Sequence, residues 1–328
     1  MGRRLSFQVE GQWTVFEVTF RCMQARLLLK PGDRSTDIIL GVLGRSLKLY
    51  GGGVKLLFGG GTSNHMHLIL ASRSSKERAS FKCHLKTNLS KRLGKAFGWT
   101  DHLFGQRTTD IPVLDEAALM GRIHYCARHG FKERLIAEDE SWPGVPWMAA
   151  VTTGAPLAGV WHNGTALSRA ERMWRLRGKA RGMSKPTAEQ FAETIEVPLE
   201  PLPCMRGLSA QEQREKWREI FREAKLHYPQ PDGPVLGAEK LLEQDPHCRP
   251  NNSKRSPAPR CHGSSAAVIQ AWKETYAAFV AGYRNAWQRL RRELSRPKSK
   301  FAFPWGGVPP TWPTLELPPS EVLALAPS

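Results

Sequence analysis

Hydrophobic and polar positions in the first half of the chain switch between two periods. Residues 13–20, Trp-Thr-Val-Phe-Glu-Val-Thr-Phe, are β-branched and aromatic and predict a strand. Over residues 35–49, Ile38, Ile39, Val42, Leu43, Leu47 and Leu49 recur at near-helical spacing behind Ser35 or Thr36, either of which suits an N-cap. Gly51-Gly52-Gly53 turn the chain into a strand at 54–58, and Gly59-Gly60-Gly61 link that strand to another apolar run over 65–71. The second glycine run lacks the Lys-Ser/Thr ending of a phosphate-binding loop. A helix over 80–97 follows, with Ser80 as its cap and Phe81, Leu85, Leu89 and Leu93 or Phe97 as its apolar stripe. Residues 102–114 read as an irregular link and a strand ending at Val113. Asp115 caps a helix over 116–129, which Gly130 stops.

The order strand, helix, strand, strand, helix, strand, helix predicts an α+β fold: a ferredoxin-like antiparallel sheet with helices on one face. Trp142-Pro143-Gly144-Val145-Pro146 punctuates its end. Beyond about residue 150 the pattern weakens into a mainly helical and irregular C-terminal extension. Residues 150–166 read as a link, 209–226 as a charged helix and 245–262 as loop. Residues 264–294 space Ile269, Trp272, Tyr276, Phe279, Tyr283, Trp287, Leu290 and Leu294 by three or four, which predicts a long amphipathic helix before a Pro-rich tail. Three regions are expected: a compact domain over 1–149, a linker and helical extension over 150–262, and the long helix with its tail over 263–328.

Charge narrows the partner. The 328 residues carry a formal net charge of +18, a sign of a polyanionic partner, most often nucleic acid. The excess is uneven: residues 51–100 hold nine Lys/Arg against the single acid Glu77, whereas 201–250 balance at eight and eight. The six cysteines are scattered without a Cys-x-x-Cys, which suits a reducing cytoplasm. His247-Cys248 and Cys261-His262 fit no common zinc spacing. The opening Met1-Gly2-Arg3-Arg4 is no signal peptide, and no apolar run approaches the roughly 18 residues needed to span a bilayer.

Candidate chemistry begins at Ser63-Asn64-His65-Met66-His67. On a strand, side chains at i and i+2 share a face, so His65 and His67 present two imidazoles together while Met66 turns into the core. That is half of a metal site. The helix over 116–129 carries Arg122, Tyr125 and His129 at spacings of three and four, hence on one face. His129 is the candidate third ligand. Tyr125 is a candidate nucleophile for phosphodiester cleavage, its anion favoured by a metal and by Arg122. Lys82, Lys86, Lys91, Arg92 and Lys95 line the 80–97 helix, as a solvated face or a track for phosphates. Trp99 is a candidate for stacking on unpaired bases.

Within residues 13–147 the chain resembles the single-tyrosine HUH transposases, and among them the REP-associated tyrosine transposases. The resemblance is carried by Phe16-Glu17-Val18-Thr19-Phe20-Arg21, Ser63-Asn64-His65-Met66-His67-Leu68 and Asp101-His102-Leu103-Phe104-Gly105-Gln106-Arg107. Ile123-His124-Tyr125 running on to Leu135-Ile136, and Trp142-Pro143-Gly144-Val145, complete it. It implies that His65 and His67 are metal ligands, that Tyr125 is the nucleophile, and that Mg2+ or Mn2+ is the cofactor. It also implies a bacterial cytoplasmic, nucleoid-associated enzyme, monomeric or dimeric, acting on single-stranded DNA with hairpins of REP-like palindromes. Lys82, Lys86, Lys91, Arg92, Lys95, Arg107 and Arg122 are the expected DNA-contacting residues. The chain departs from the family pattern in having His129 where Asn or Gln is usual, no Asn-Pro after the tyrosine, and the triple glycine before the histidine strand. A second reading is therefore a catalytically decayed or domesticated hairpin-binding protein. A third, a replication-initiator nickase, is disfavoured because no second tyrosine lies nearby in sequence and no helicase motif occurs.

Overall fold

The computed structural model describes residues 5–105, 108–178, 182–229, 232–250 and 258–293. The expected contact residue Arg107, the end of the long helix at Leu294 and the Pro-rich tail lie outside these residues.

The expected α+β class is what the chain adopts. β1 (Thr14–Arg21), α1 (Asp33–Tyr50), β2 (Val54–Thr62), β3 (His65–Ser72), α2 (Ser75–Phe97) and β4 (Thr109–Val113) form a βαββαβ unit. Its antiparallel sheet has the order β2-β3-β1-β4. α3 (Glu116–Ala127), the single turn α4 (His129–Lys132) and α5 (Trp147–Thr153) follow. A hairpin of β5 (Ala158–His162) and β6 (Ala192–Glu196), with α6 (Gly164–Met173) inserted between its strands, packs on α1. α7 (Ala210–His227), α8 (Ala238–Glu243) and α9 (Ala266–Glu293) make the C-terminal region mainly helical. Among the described residues no helix is long and apolar enough to cross a membrane.

Strand register sorts the side chains. Phe16 pairs with Leu70, and Val18 with Leu68 and Asp110, so these point to one face. α1 and α2 cover that face. Phe81, Leu85, Leu89 and Leu93 are each fully buried there, and each contributes about 1.5–3 kcal/mol of apolar burial. The opposite face carries Glu17, Thr19, His65, His67 and Ile69, and α3 crosses it. β2 serves both faces because its register slips between Leu56 and Phe58. The bulge at Leu57 turns Leu56 toward the α1/α2 side and sends Phe58 the other way. There Phe58 stacks on Trp217 of α7 at 5.2 Å between ring centroids.

Several boundaries differ from the sequence pattern, each for a local reason; the glycine run over 59–61, expected as a link, is part of β2, which continues to Thr62. α1 is capped at Gly32, because Ser35 lies inside the first turn and its Oγ donates to the carbonyls of Lys30 and Gly32 at 2.7 and 2.9 Å. α2 begins before Ser80: Ser74 is extended and its Oγ accepts from the Glu77 N–H at 3.3 Å. This extra turn carries Arg78, buried at 1 % exposure, onto Asp110, Gln8 and Ser72. The stretch over 150–166 is no simple link, since it holds the end of α5, all of β5 and the start of α6. Gly41 and Gly159 make the β5 contact, and a Cβ at Gly41 would lie 2.2 Å from the Val160 carbonyl.

The glycine run Gly59-Gly60-Gly61 has a packing role too. A Cβ on Gly59 would meet the Trp147 ring at 2.7 Å, and one on Gly60 would meet the Cys126 carbonyl at 2.5 Å. α3 therefore lies directly on the strand backbone. Gly60→Val is expected to destabilise the protein by about 1–3 kcal/mol through overpacking, read as a lower urea midpoint. A midpoint equal to that of the unaltered chain would show that α3 is not seated through this glycine.

Candidate active site

Three imidazoles meet under α3 and α4. His65 and His67 are neighbours on β3, with ring centroids 5.1 Å apart and Met66 turned away at 5 % exposure. His129 arrives from α4, 4.6 Å from the His65 ring and 5.0 Å from the His67 ring. One ligand nitrogen from each lies within 4.8 Å of the others. The helix predicted over 116–129 breaks before His129: Arg128, at φ −94° and ψ 12°, ends α3. Gly130 is inside the following turn rather than a stop. The break leaves Tyr125 and His129 in contact, 4.9 Å between centroids.

The chemistry of the donor set fits a cation. His67 Nε2 and both ring nitrogens of His129 are buried with no hydrogen-bond partner among the described residues. Unpaired buried polar atoms are costly unless something else binds them. Burial, together with the neighbouring imidazoles, pushes His129 well below the ordinary histidine range and His65 down to about 3. Both rings are thus neutral, the form that ligates metals. Three nitrogen donors suit Mn2+ and later transition metals better than Mg2+, which prefers oxygen.

Behind the ring of His67 stands Glu17, a residue the sequence reading did not single out. Its carboxylate is 2 % exposed. His67 Nδ1 donates to Oε1 at 2.8 Å, and the Thr19 hydroxyl lies 3.1 Å from the same nitrogen. Arg122 Nη2 donates to Oε1 at 3.0 Å, while its Nε sits 2.9 Å from Oε2. His262 Nε2 donates to Oε2 at 2.7 Å. Burial drives the Glu17 carboxyl up, but the His262 and His67 hydrogen bonds and the charge of Arg122 outweigh it, holding the group well below the usual carboxylate range. With Glu17 accepting at Nδ1, His67 offers Nε2 to the centre of the imidazole cluster. The one sequence signal for Glu17 is an acid inside an otherwise apolar and β-branched strand.

Tyr125 lies against this cluster, 5.5 Å from the His67 ring. The Arg122 guanidinium stacks over its ring at 4.1 Å and Lys132 Nζ lies 4.9 Å above it. Burial pushes the phenol up to about 12, and the Arg122 charge opposes that rise. A second tyrosine, far along the sequence, also reaches this place: the Tyr228 ring at the end of α7 is 6.4 Å from that of Tyr125.

The remaining basic candidates are dispersed. Arg122 has its charge committed to Glu17. Lys82 forms an ion pair with Asp110, and Arg92 donates to the His162 carbonyl and covers the Trp161 ring at 4.1 Å. Lys86 reaches over Phe104, while Lys91 and Lys95 are exposed. All five α2 residues belong to the helix across the sheet from the histidines. Trp99 is held by Arg26, His247 and the His102 carbonyl. His247 and His262 do not form a joint site, because His247 Nε2 donates to the Phe97 carbonyl and His262 to Glu17.

No family model matches the sequence, and no curated relative does. Among solved structures, the chain is similar to a REP-associated tyrosine transposase bound to a REP hairpin. That match has 13% identity and a TM-score of 0.32, covering 44% of this chain and 81% of the other. A protein of Deinococcus radiodurans R1 assigned to the transposases is similar at 15% identity and a TM-score of 0.28, with 38% and 95% covered. Neither likeness is close enough to transfer a function.

The neutral, buried imidazoles make stability depend on pH. The unfolded chain binds their protons near pH 6.5 and the folded chain only far lower, so stability is full above about pH 6.5 and is lost as pH falls toward about 3. In chelator-treated protein, the urea midpoint is expected to drop steadily between about pH 7 and about pH 4, and His65→Gln to flatten that slope. An unflattened slope in the variant would contradict the burial of a neutral ring at this position.

Proposed function

We propose that this protein is a metal-dependent single-stranded DNA endonuclease and strand transferase of the HUH single-tyrosine kind, with Tyr125 as nucleophile and His65, His67 and His129 as ligands. The observation that carries the reading is the convergence of three imidazoles, several of their nitrogens buried without a hydrogen-bond partner, beside one phenol. A divalent ion held there would supply a Lewis acid toward the phosphate oxygens.

The protein's own residues account for the rest of the step. Tyr125 must attack as its anion, and Arg122 and Lys132 place positive charge against its ring to favour that form. In the step, the bond from the Tyr125 oxygen to phosphorus forms and the bond from phosphorus to the 3′ oxygen breaks. The phenol proton ends on the departing 3′ hydroxyl. The product is a 5′-phosphotyrosine link, which a 3′ hydroxyl reverses or transfers by the opposite sequence. The substrate proposed is hairpin-containing DNA with unpaired flanks. Of the α2 residues, Lys91 and Lys95 keep exposed side chains for phosphates. A strand held there reaches Tyr125 only around an edge of the sheet.

Incubation with hairpin DNA and Mn2+ is expected to yield a covalent protein–DNA adduct, seen as a retarded band on a denaturing gel. EDTA and Tyr125→Phe should each abolish it. Hairpin binding without any adduct, insensitive to EDTA, would instead identify a binding protein that has lost its chemistry. An adduct of full yield in Tyr125→Phe would exclude Tyr125 and turn attention to Tyr228.

A further inference from the structure

Residues 258–264 return from the C-terminal region to the outer edge of the sheet. The His262 N–H donates to the Pro112 carbonyl and its own carbonyl accepts from Leu114 N–H, both at 2.9 Å, so the segment pairs with the end of β4. Asp115 fastens it further. One carboxylate oxygen caps α3 by accepting from Ala118 N–H at 2.8 Å, and the other accepts from Ser264 N–H at 2.8 Å. The segment is thereby locked to the start of the helix that carries Arg122 and Tyr125. Cys261 is buried beside it at 7 % exposure, and the His262 side chain, 15 % exposed, turns inward onto Glu17.

Glu17 needs this partner. A buried carboxylate is stable only when its oxygens are saturated by donors. Oε1 takes His67 Nδ1 and Arg122 Nη2, while Oε2 has His262 as its hydrogen-bond donor. Arg122 Nε is near Oε2 but is not aligned to donate. Without His262, the carboxylate would be free to rotate toward Arg122 and release the N–H of His67. His67 could then adopt the other tautomer, with its proton on the nitrogen that faces the imidazole cluster.

We propose that His262 is a positioning residue of the metal centre, acting through Glu17 to fix the ring orientation and tautomer of His67, so that the C-terminal segment completes the site. The proposal rests on the metal-binding reading above.

Mn2+ titration of the full chain by calorimetry tests it. His262→Ala and His262→Asn, whose amide is too short to reach Glu17, are expected to weaken Mn2+ binding about tenfold. His262→Gln carries an amide N–H to the place of Nε2 and is expected to stay within about twofold of the unaltered chain. Side-chain 15N spectra of the metal-free protein should show His67 protonated at Nδ1 in the unaltered chain and in His262→Gln. His262→Asn should show mixed tautomers, and this readout stands if His262→Ala fails to fold. Unchanged Mn2+ affinity and tautomer in His262→Asn would overturn the inference and leave the metal site standing, even if the melting temperature fell. Absence of Mn2+ binding by the unaltered chain would overturn both.

Discussion

The buried carboxylate of Glu17 is the interaction on which the face carrying the candidate site depends. It lies under the sheet–helix contact where water cannot solvate it, so its charge survives only through donors supplied by the protein. Those donors come from β3, α3 and the returning C-terminal chain. One group therefore dictates where three distant stretches of sequence must meet. Leaving such a buried charge without a partner costs about 3–5 kcal/mol, more than most surface interactions of the protein contribute.

The sheet separates two kinds of interior. On the α1/α2 side, aliphatic and aromatic rows dominate; among the polar groups there, Ser46 of α1 meets His84 of α2 at 2.8 Å, and Arg78, held by Gln8, Ser72 and Asp110, stacks on Phe16 at 3.6 Å. On the α3 side, polar side chains alternate into the strands and create a place where charge and imidazoles concentrate. The glycines of β2 allow α3 to settle against bare backbone, and this close approach brings Tyr125 within reach of the β3 histidines.

Buried ring nitrogens without partners are expensive, each worth about 1–3 kcal/mol when left unsatisfied. Several of them together are what a preformed metal site, the reading proposed for this protein, would require. The same burial that empties these imidazoles of protons also raises the Tyr125 phenol. In the proposed reaction one environment would thus prepare the ligands and restrain the nucleophile, with the Arg122 charge opposing part of that restraint.

The pattern of the chain was enough to determine the βαββαβ order, because apolar stripes at helical spacing mark α1 and α2, and β-branched, aromatic or apolar runs mark the strands. It also paired His65 with His67, since i and i+2 on a strand share a face whatever surrounds them. The arrival of His129 beside them was an inference from helical spacing, and the actual path runs through a break at Arg128 that spacing alone does not encode. Glu17, His262 and Tyr228 were not legible as neighbours of the site. Their contacts join positions between 50 and 245 residues apart, and the packing of β1 on β3, of the C-terminal segment against β4 and of α7 against α3 decides them. The same holds for Lys82 and Arg92, which read as a solvated basic face. Tertiary contacts commit their charges to Asp110 and His162, and the intervening sheet separates their helix from the histidines. Local pattern records which side chains leave water, whereas the identity of the groups that meet there is a property of the folded chain.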